Sequence, residues 1–175
     1  MQEYKIVFTG NMGAGKTTAI GMLSDIEVLS TDVTNTAQHE NSKSLTTVGI
    51  DYGRLTLSDD LSLSIYGTPG QERFQFMWKI AAKGALGVIV LIDSTAKNAL
   101  HDMNMYVDFY KNEGIDVIVV GVTHTDHSSS LPFEIFIDSV SNTDYVLPVF
   151  AIDARDRNDI LFITEVLIAE IEASL

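Results

Sequence analysis

Apolar positions along this chain fall into two kinds of pattern, and the two alternate. Lys5-Ile6-Val7-Phe8-Thr9 reads as a short strand ending at Gly10, and Thr18-Ala19-Ile20-Gly21-Met22-Leu23 continues as a helix. Val48 to Leu57 and Leu61 to Tyr66 alternate apolar with polar residues around Asp59-Asp60, which predicts a β-hairpin. Ala85 to Asp93 and Asp116 to Thr123 are continuous apolar runs, as expected of parallel strands covered on both faces. Between them Lys97 to Asn112 has helical spacing, with Gly114 as its stop. A shorter helix follows Pro132, then a strand from Tyr145 to Ala151. A last helix begins near Arg157 or Asn158 and carries Ile160, Ile163, Leu167 and Ile171 along one stripe. Asp25 to Thr46, crowded with Ser, Thr, Asn and Asp, has no sustained period and reads as a mobile loop. These elements predict one α/β domain over residues 1–175. Its sheet would be mostly parallel and six-stranded, with one antiparallel edge strand and helices on both faces.

The junction of the first strand and helix carries chemistry. Gly10-Asn11-Met12-Gly13-Ala14-Gly15-Lys16-Thr17 fits G-x-x-x-x-G-K-[ST], the phosphate-cradling P-loop. Glycines at 10, 13 and 15 can take backbone angles that a Cβ forbids, so successive N–H groups turn inward around phosphate oxygens. Lys16 adds a point charge, the Thr17 hydroxyl ligates Mg²⁺, and the helix dipole points at the same anion. A glycine-rich turn without a ligand is the bland alternative. The strand-loop-helix context favours a nucleotide.

Composition narrows the picture. The 175 residues hold 11 Lys and Arg against 24 Asp and Glu, a formal net charge of −13. So acidic a surface repels nucleic acid, while a P-loop still holds phosphate through local dipoles. Cysteine is absent, so prenyl and palmitoyl anchors are not expected, and Gln2 speaks against myristoylation. No apolar run reaches the ~18 residues of a membrane span. The expected location is the cytoplasm, without lipid anchor or transmembrane segment.

Further motifs follow in order. Gly67-Thr68-Pro69-Gly70-Gln71-Glu72 resembles the switch II motif D-x-x-G-Q-E, and Thr46-Thr47-Val48-Gly49-Ile50-Asp51 resembles the end of switch I. With the P-loop, these give the chain a likeness to Ras-superfamily small GTPases across essentially its whole length. Within that superfamily it resembles the bacterial MglA-like branch, which also lacks the switch II aspartate, here Gly67, and carries Pro before the Gly. The resemblance implies GTP and GDP as ligands with Mg²⁺ on Thr17 and the switch I threonine, Thr47 (Thr46 being second choice). It implies Gln71, Lys16 and Thr47 as the catalytic set. The implied nucleotide contacts are Asn11, Met12, Gly13, Ala14, Gly15, Lys16, Thr17, Thr18, Thr47 and Gly70. Around the base they are Thr123, His124, Asp126, Ala154 and Arg155.

Thr123-His124-Thr125-Asp126 stands where the family has N-K-x-D, and Asp153-Ala154-Arg155 where it has S-A-K. The Asp126 carboxylate matches the N1–H and N2–H₂ donors of guanine, which adenine lacks, so GTP is favoured. A buried carboxylate that adenine leaves unpaired would be costly. His124 would lie flat on the purine, and the Ala154 N–H would face O6. His124-Thr125-Asp126-His127 also invites a metal reading, which the missing Cys and helical His pair make the weaker one.

The expected activity is a GTP-hydrolysing regulatory switch with slow turnover, since Met12 crowds the γ-phosphate and Gly67 removes a carboxylate. Arg54 and Arg73 are candidate arginines in cis. Phe74, Phe76, Met77 and Trp78 cannot all face one side of a helix, so part of this cluster is expected at a partner surface beside switch II. By resemblance the partner is of the roadblock type and the setting bacterial polarity or motility. Two alternatives remain: a GTP-binding scaffold that does not hydrolyse, and a P-loop phosphotransferase using ATP.

Overall fold

The computed structural model describes residues 2–30, 33–34, 47–141 and 147–174. Along β1 (Gln2–Gly10), period-two alternation sends Ile6 and Phe8 to one face and Val7 to the other. β7 (Gly87–Asp93) does the same, with Ile89 and Leu91 on the first face and Val88, Val90 and Ile92 on the second. On the first face lie α1 (Lys16–Leu23), through Ala19, Ile20 and Leu23, and α5 (Arg157–Ser174), through Ile160, Ile163, Leu167 and Ile171. On the second face lie α2 (Gln75–Ala82), α3 (Ala99–Asn112) and α4 (Phe133–Ser141), led by Trp78, Met103, Tyr106, Tyr110 and Phe136.

The remaining strands are β2 (Leu29–Ser30), β3 (Val33–Thr34), β4 (Thr47–Val48), β5 (Asp51–Ser58), β6 (Leu61–Gly67), β8 (Ile118–Thr123) and β9 (Val149–Ala151). The main sheet runs β2-β5-β6-β1-β7-β8-β9. Its β6-β1, β1-β7, β7-β8 and β8-β9 pairs are parallel, while β2-β5 and the β5-β6 hairpin are antiparallel. The α/β class and the antiparallel hairpin are as the sequence predicts. Among the described residues the main sheet has seven strands rather than six, because Leu29–Ser30, inside the stretch read as loop, pairs with Asp51 and Tyr52.

Boundaries also move. The hairpin begins at Asp51, not Val48, because Thr47–Val48 pairs separately with Val33–Thr34. β9 begins at Val149; Tyr145 lies outside the described residues, as does most of Asp25–Thr46. The parallel order brings the segments after β1, β6, β7, β8 and β9 to one edge of the sheet, where open α/β sheets take ligands.

Candidate functional site

The loop between β1 and α1 is fixed by steric necessity. Gly10 has φ 132°, and a Cβ there would lie 1.7 Å from the Leu91 carbonyl oxygen on neighbouring β7. Lys16 folds back over the loop and donates to the carbonyl oxygens of Gly10 (2.8 Å) and Asn11 (2.7 Å). An ammonium has three donors, so the third is left for an anion in the cradle. Burial pushes the Lys16 ammonium down to about 8, opposed by the nearby Asp51 carboxylate. A fixed anion at the loop would favour its charged form. Asn11 braces the loop from the side, accepting the Asp93 N–H at 3.0 Å and donating to Asp102 at 3.3 Å. Thr17 and Thr18 open α1 with exposed side chains.

Switch II meets this loop closely. A Cβ on Gly70 would come within 2.8 Å of Asn11 and Gly10 backbone atoms. The segment is held from below: Trp78 Nε1 donates to the Pro69 carbonyl (2.6 Å) and the Tyr106 hydroxyl to that of Gly70 (2.9 Å). Trp78 is fully buried, its ring centroid 4.6 Å from that of Tyr106. Gln71 therefore stands at the P-loop, its Nε2 3.7 Å from Met12 Sδ. Its Oε1 is buried and accepts no hydrogen bond among the described residues. An orphaned acceptor of this kind is costly unless something polar meets it.

Beside the loop lies an open cavity of about 470 Å³ that joins Gly13, Gly15 and Thr18 to Thr123–Asp126 and Ala151–Arg155. Thr123 is buried, and its hydroxyl lies 3.2 Å from the Ala14 carbonyl and 3.0 Å from His124 Nδ1, linking β8 to the loop. His124 adopts φ 58° and turns its exposed ring outward, 3.5 Å from Asp93. Asp126 is exposed to the cavity rather than buried as expected, so any desolvation of its carboxylate must come with the ligand. Ala154 packs under Gly15, where an added Cβ would meet its own at 2.6 Å. Arg155 is engaged with Asp153 through Nε (2.9 Å) and Nη2 (2.8 Å), which holds the Asp153 carboxyl down at about 2. Asp159 also lines the cavity and accepts the Asp153 N–H at 2.8 Å, a third carboxylate there and one the sequence did not single out.

Several expected roles change. Phe74 and Trp78 are buried, so the apolar surface beside switch II consists of Phe76 and Ile80, 61% and 55% exposed. Arg54 donates to Ser62 three rungs along the hairpin from Gly67, and Arg73 stacks on Phe74, 4.8 Å from its ring centre. Among the described residues, neither of these two contacts is with the P-loop. Met12 is 70% exposed and leans toward Gln71. Thr46 lies outside the described residues, and only the backbone of Thr47 is described.

A further residue missed from the sequence is Asp51. It accepts the Thr17 hydroxyl proton through Oδ2 and that of Ser30 through Oδ1 at 2.5 Å. It stands directly across the antiparallel pair from Gly67. Part of its signal was present in the sequence: period-two alternation places Asp51, Gly53 and Leu55 on one buried face, and a carboxylate there needs a partner, but which partner it finds depends on register. The magnesium implied by resemblance takes oxygen donors in octahedral geometry. The exposed Thr17 hydroxyl with a carboxylate bonded to it supplies such donors, so these residues fit the ion.

Comparison with known proteins adds a family. The model of a family described as conserved hypothetical ATP binding protein matches residues 27–147. The chain belongs to that family. One relative is an uncharacterized protein of Methanocaldococcus jannaschii, 37% identical over 93 residues, 53% of each chain. This chain thus spans about half of that protein's length. Distant relatives are Ras-related proteins. RabC of Dictyostelium discoideum is 27% identical over 98% of this chain and 85% of its own. RABD2a of Arabidopsis thaliana is 22% identical over 90% and 74%. No described helix is long and apolar enough to cross a membrane.

Proposed function

We propose that this chain is a GTP-binding regulatory switch, a single G domain that hydrolyses GTP slowly. The observation that carries the reading is the shared cavity: it places the Asp126 carboxylate on the same opening as Gly13, Gly15 and Thr18 of the P-loop. A purine seated there would meet Asp126 with its donor edge while its phosphates reach the loop N–H groups and Lys16. The Ras-related names of the distant relatives support guanine nucleotides, whereas the ATP in the family description supports adenine. Competition between GTP and ATP for the bound nucleotide, with analysis of what co-purifies, tests this directly. Equal displacement by ATP would favour the phosphotransferase alternative.

Hydrolysis is in-line attack of water on the γ-phosphate, assisted by positioning and charge stabilisation. The unpartnered Gln71 Oε1 is suited to accept a hydrogen bond from that water. Lys16 would balance phosphate charge, and Thr17 with Thr47 would hold Mg²⁺, whose contribution is to neutralise charge on the β- and γ-oxygens. We expect unaided turnover at or below about 10⁻³ s⁻¹, the order of an unstimulated Ras-type protein. Gln71→Leu should leave GTP affinity within about twofold while removing partner-stimulated hydrolysis, the signature of a group acting in the transition state. Single-turnover assays with and without partner check it, and separate this reading from a non-hydrolysing scaffold. We place the partner, of roadblock type by resemblance to MglA-like GTPases, on Phe76 and Ile80. A cytoplasmic role in bacterial polarity, motility or signalling follows from the same resemblance alone.

A further inference from the structure

Gln71 rests on a sulfur atom. A Cβ added to Gly70 would lie 2.7 Å from the Met12 nitrogen, so switch II and the P-loop touch at these residues. The next side chain, Gln71, then lays its Nε2 3.7 Å from Met12 Sδ, while its Oε1 is buried and unpartnered among the described residues. A thioether is a weak acceptor, so the N–H can leave it at little cost. Phosphoryl transfer spreads negative charge over the γ-phosphoryl oxygens. The Nε2 donor can move to one of them while Oε1 meets the water. The sulfur is also the reactive atom of the pair. The chain has six methionines and no cysteine, so a mild oxidant finds thioethers rather than thiols. Met12 is 70% exposed, whereas Met22, Met77 and Met105 are half-buried and Met103 is buried.

We propose that Met12 is a reversible oxidation site for peroxides, and that its sulfoxide holds the Gln71 amide and slows GTP hydrolysis. A sulfur lone pair attacks one oxygen of hydrogen peroxide and the O–O bond breaks. The transferred oxygen stays on sulfur, and its proton leaves with the departing hydroxide as water. Sulfur loses two electrons and the peroxide gains them. The new S=O oxygen is a strong acceptor beside the same Nε2–H, so the donor no longer exchanges easily onto phosphate. Oxidation therefore prolongs the GTP-bound state without emptying the site. Two thiols acting through a methionine sulfoxide reductase return the thioether, the oxygen leaving as water and the thiols becoming a disulfide.

This role rests on the nucleotide-switch reading, and the experiment separates the two. GDP-bound protein is treated with hydrogen peroxide, and peptide mass spectrometry follows the gain of oxygen at each methionine. Met12 should be oxidised ahead of Met22, Met77, Met103 and Met105. Fluorescent GDP affinity should stay within about threefold, because backbone N–H groups and Lys16 meet the phosphates. Single-turnover GTP hydrolysis at saturating protein should slow about tenfold, the factor that one hydrogen bond to a charged group is worth. Reductases for both sulfoxide epimers, with thiol, should restore the rate. Met12→Leu, compared with its own untreated rate, should change less than about twofold under the same peroxide, having no thioether beside Gln71. The Gln71 side-chain amide resonances of the GDP-bound protein should shift on oxidation, a readout that needs no turnover. The proposal is overturned by oxidised Met12 with an unchanged rate, by unmoved Gln71 resonances, or by equal slowing of treated Met12→Leu. It is also overturned if GDP affinity falls as far as the rate, or if the other four methionines react first. Failure of the untreated protein to bind GDP or to hydrolyse GTP would instead overturn the switch reading, and this proposal with it.

Discussion

The two ends of the cleft are built on different principles. At the P-loop end, which the proposed reading gives to phosphate, the backbone would do the recognising, and the core dictates it: Gly10 is pressed against β7, Gly70 against the loop, and Lys16 is held by two carbonyls. At the end proposed for the base, exposed side chains would do the recognising, on loops that follow β8 and β9, with His124, Asp126 and Arg155 all open to solvent. One end can change only by breaking the fold. The other can change residue by residue, and its departures from the Ras pattern are concentrated there.

The largest effect is therefore expected from the smallest atom change. Gly10→Ala sets a Cβ 1.7 Å from a backbone oxygen with φ at 132°, so β1 and β7 must part. We expect a loss above about 4 kcal/mol, the range kept for such backbone and overpacking damage. Urea unfolding checks it, and a variant as stable as the parent would mean the loop is not locked by the core. Next comes Lys16→Ala, which should reduce GDP affinity by about 3 kcal/mol or more, on the scale of lost charged hydrogen bonds. Unchanged affinity by calorimetry would remove the loop from the binding site.

These two predictions sit where the sequence was most legible. A P-loop motif encodes backbone geometry through glycine and needs no knowledge of distant partners, so Gly10 to Thr17 could be placed from eight residues. The α/β class and the stripe of α5 were legible for the same reason, because periodicity is local. What could not be read depends on register. Asp51 acquires its meaning only by standing opposite Gly67 and beneath Thr17, contacts that span 16 and 34 positions. The burial of Trp78 and Phe74 beside exposed Phe76 likewise needed the rotation of α2 against α3, which an aromatic run leaves open. Leu29–Ser30 is too short, and too polar in its surroundings, to signal a strand without its partner.

At the base end, the middle-sized effect belongs to Asp126. Asp126→Asn replaces one acceptor oxygen by a donor facing the donor edge of guanine, so GTP should weaken by about 2–3 kcal/mol, roughly 30–150-fold. ATP affinity should hardly move, narrowing the selectivity ratio by nearly the whole amount. Competition binding checks it, and an equal loss for both nucleotides would assign Asp126 to scaffolding.

The smallest effect should come from His124, and it divides affinity from selectivity within the base end itself. His124 has φ 58°, a conformation that Asn tolerates better than most residues, so His124→Asn keeps the backbone and removes only the ring. Unfolding midpoints should therefore stay close to the parent's. The ring is exposed and can offer the purine one face, which argues for the low end of base–aromatic stacking, about 1 kcal/mol or some fivefold in affinity. Stacking is blind to base identity, because every purine has a π-face. GTP and ATP should thus weaken by the same factor, in contrast to Asp126→Asn. If His124→Asn instead shifts the GTP-to-ATP ratio by more than about threefold, the ring nitrogens are reading the base edge. The division between a stacking His124 and a discriminating Asp126 would then be wrong.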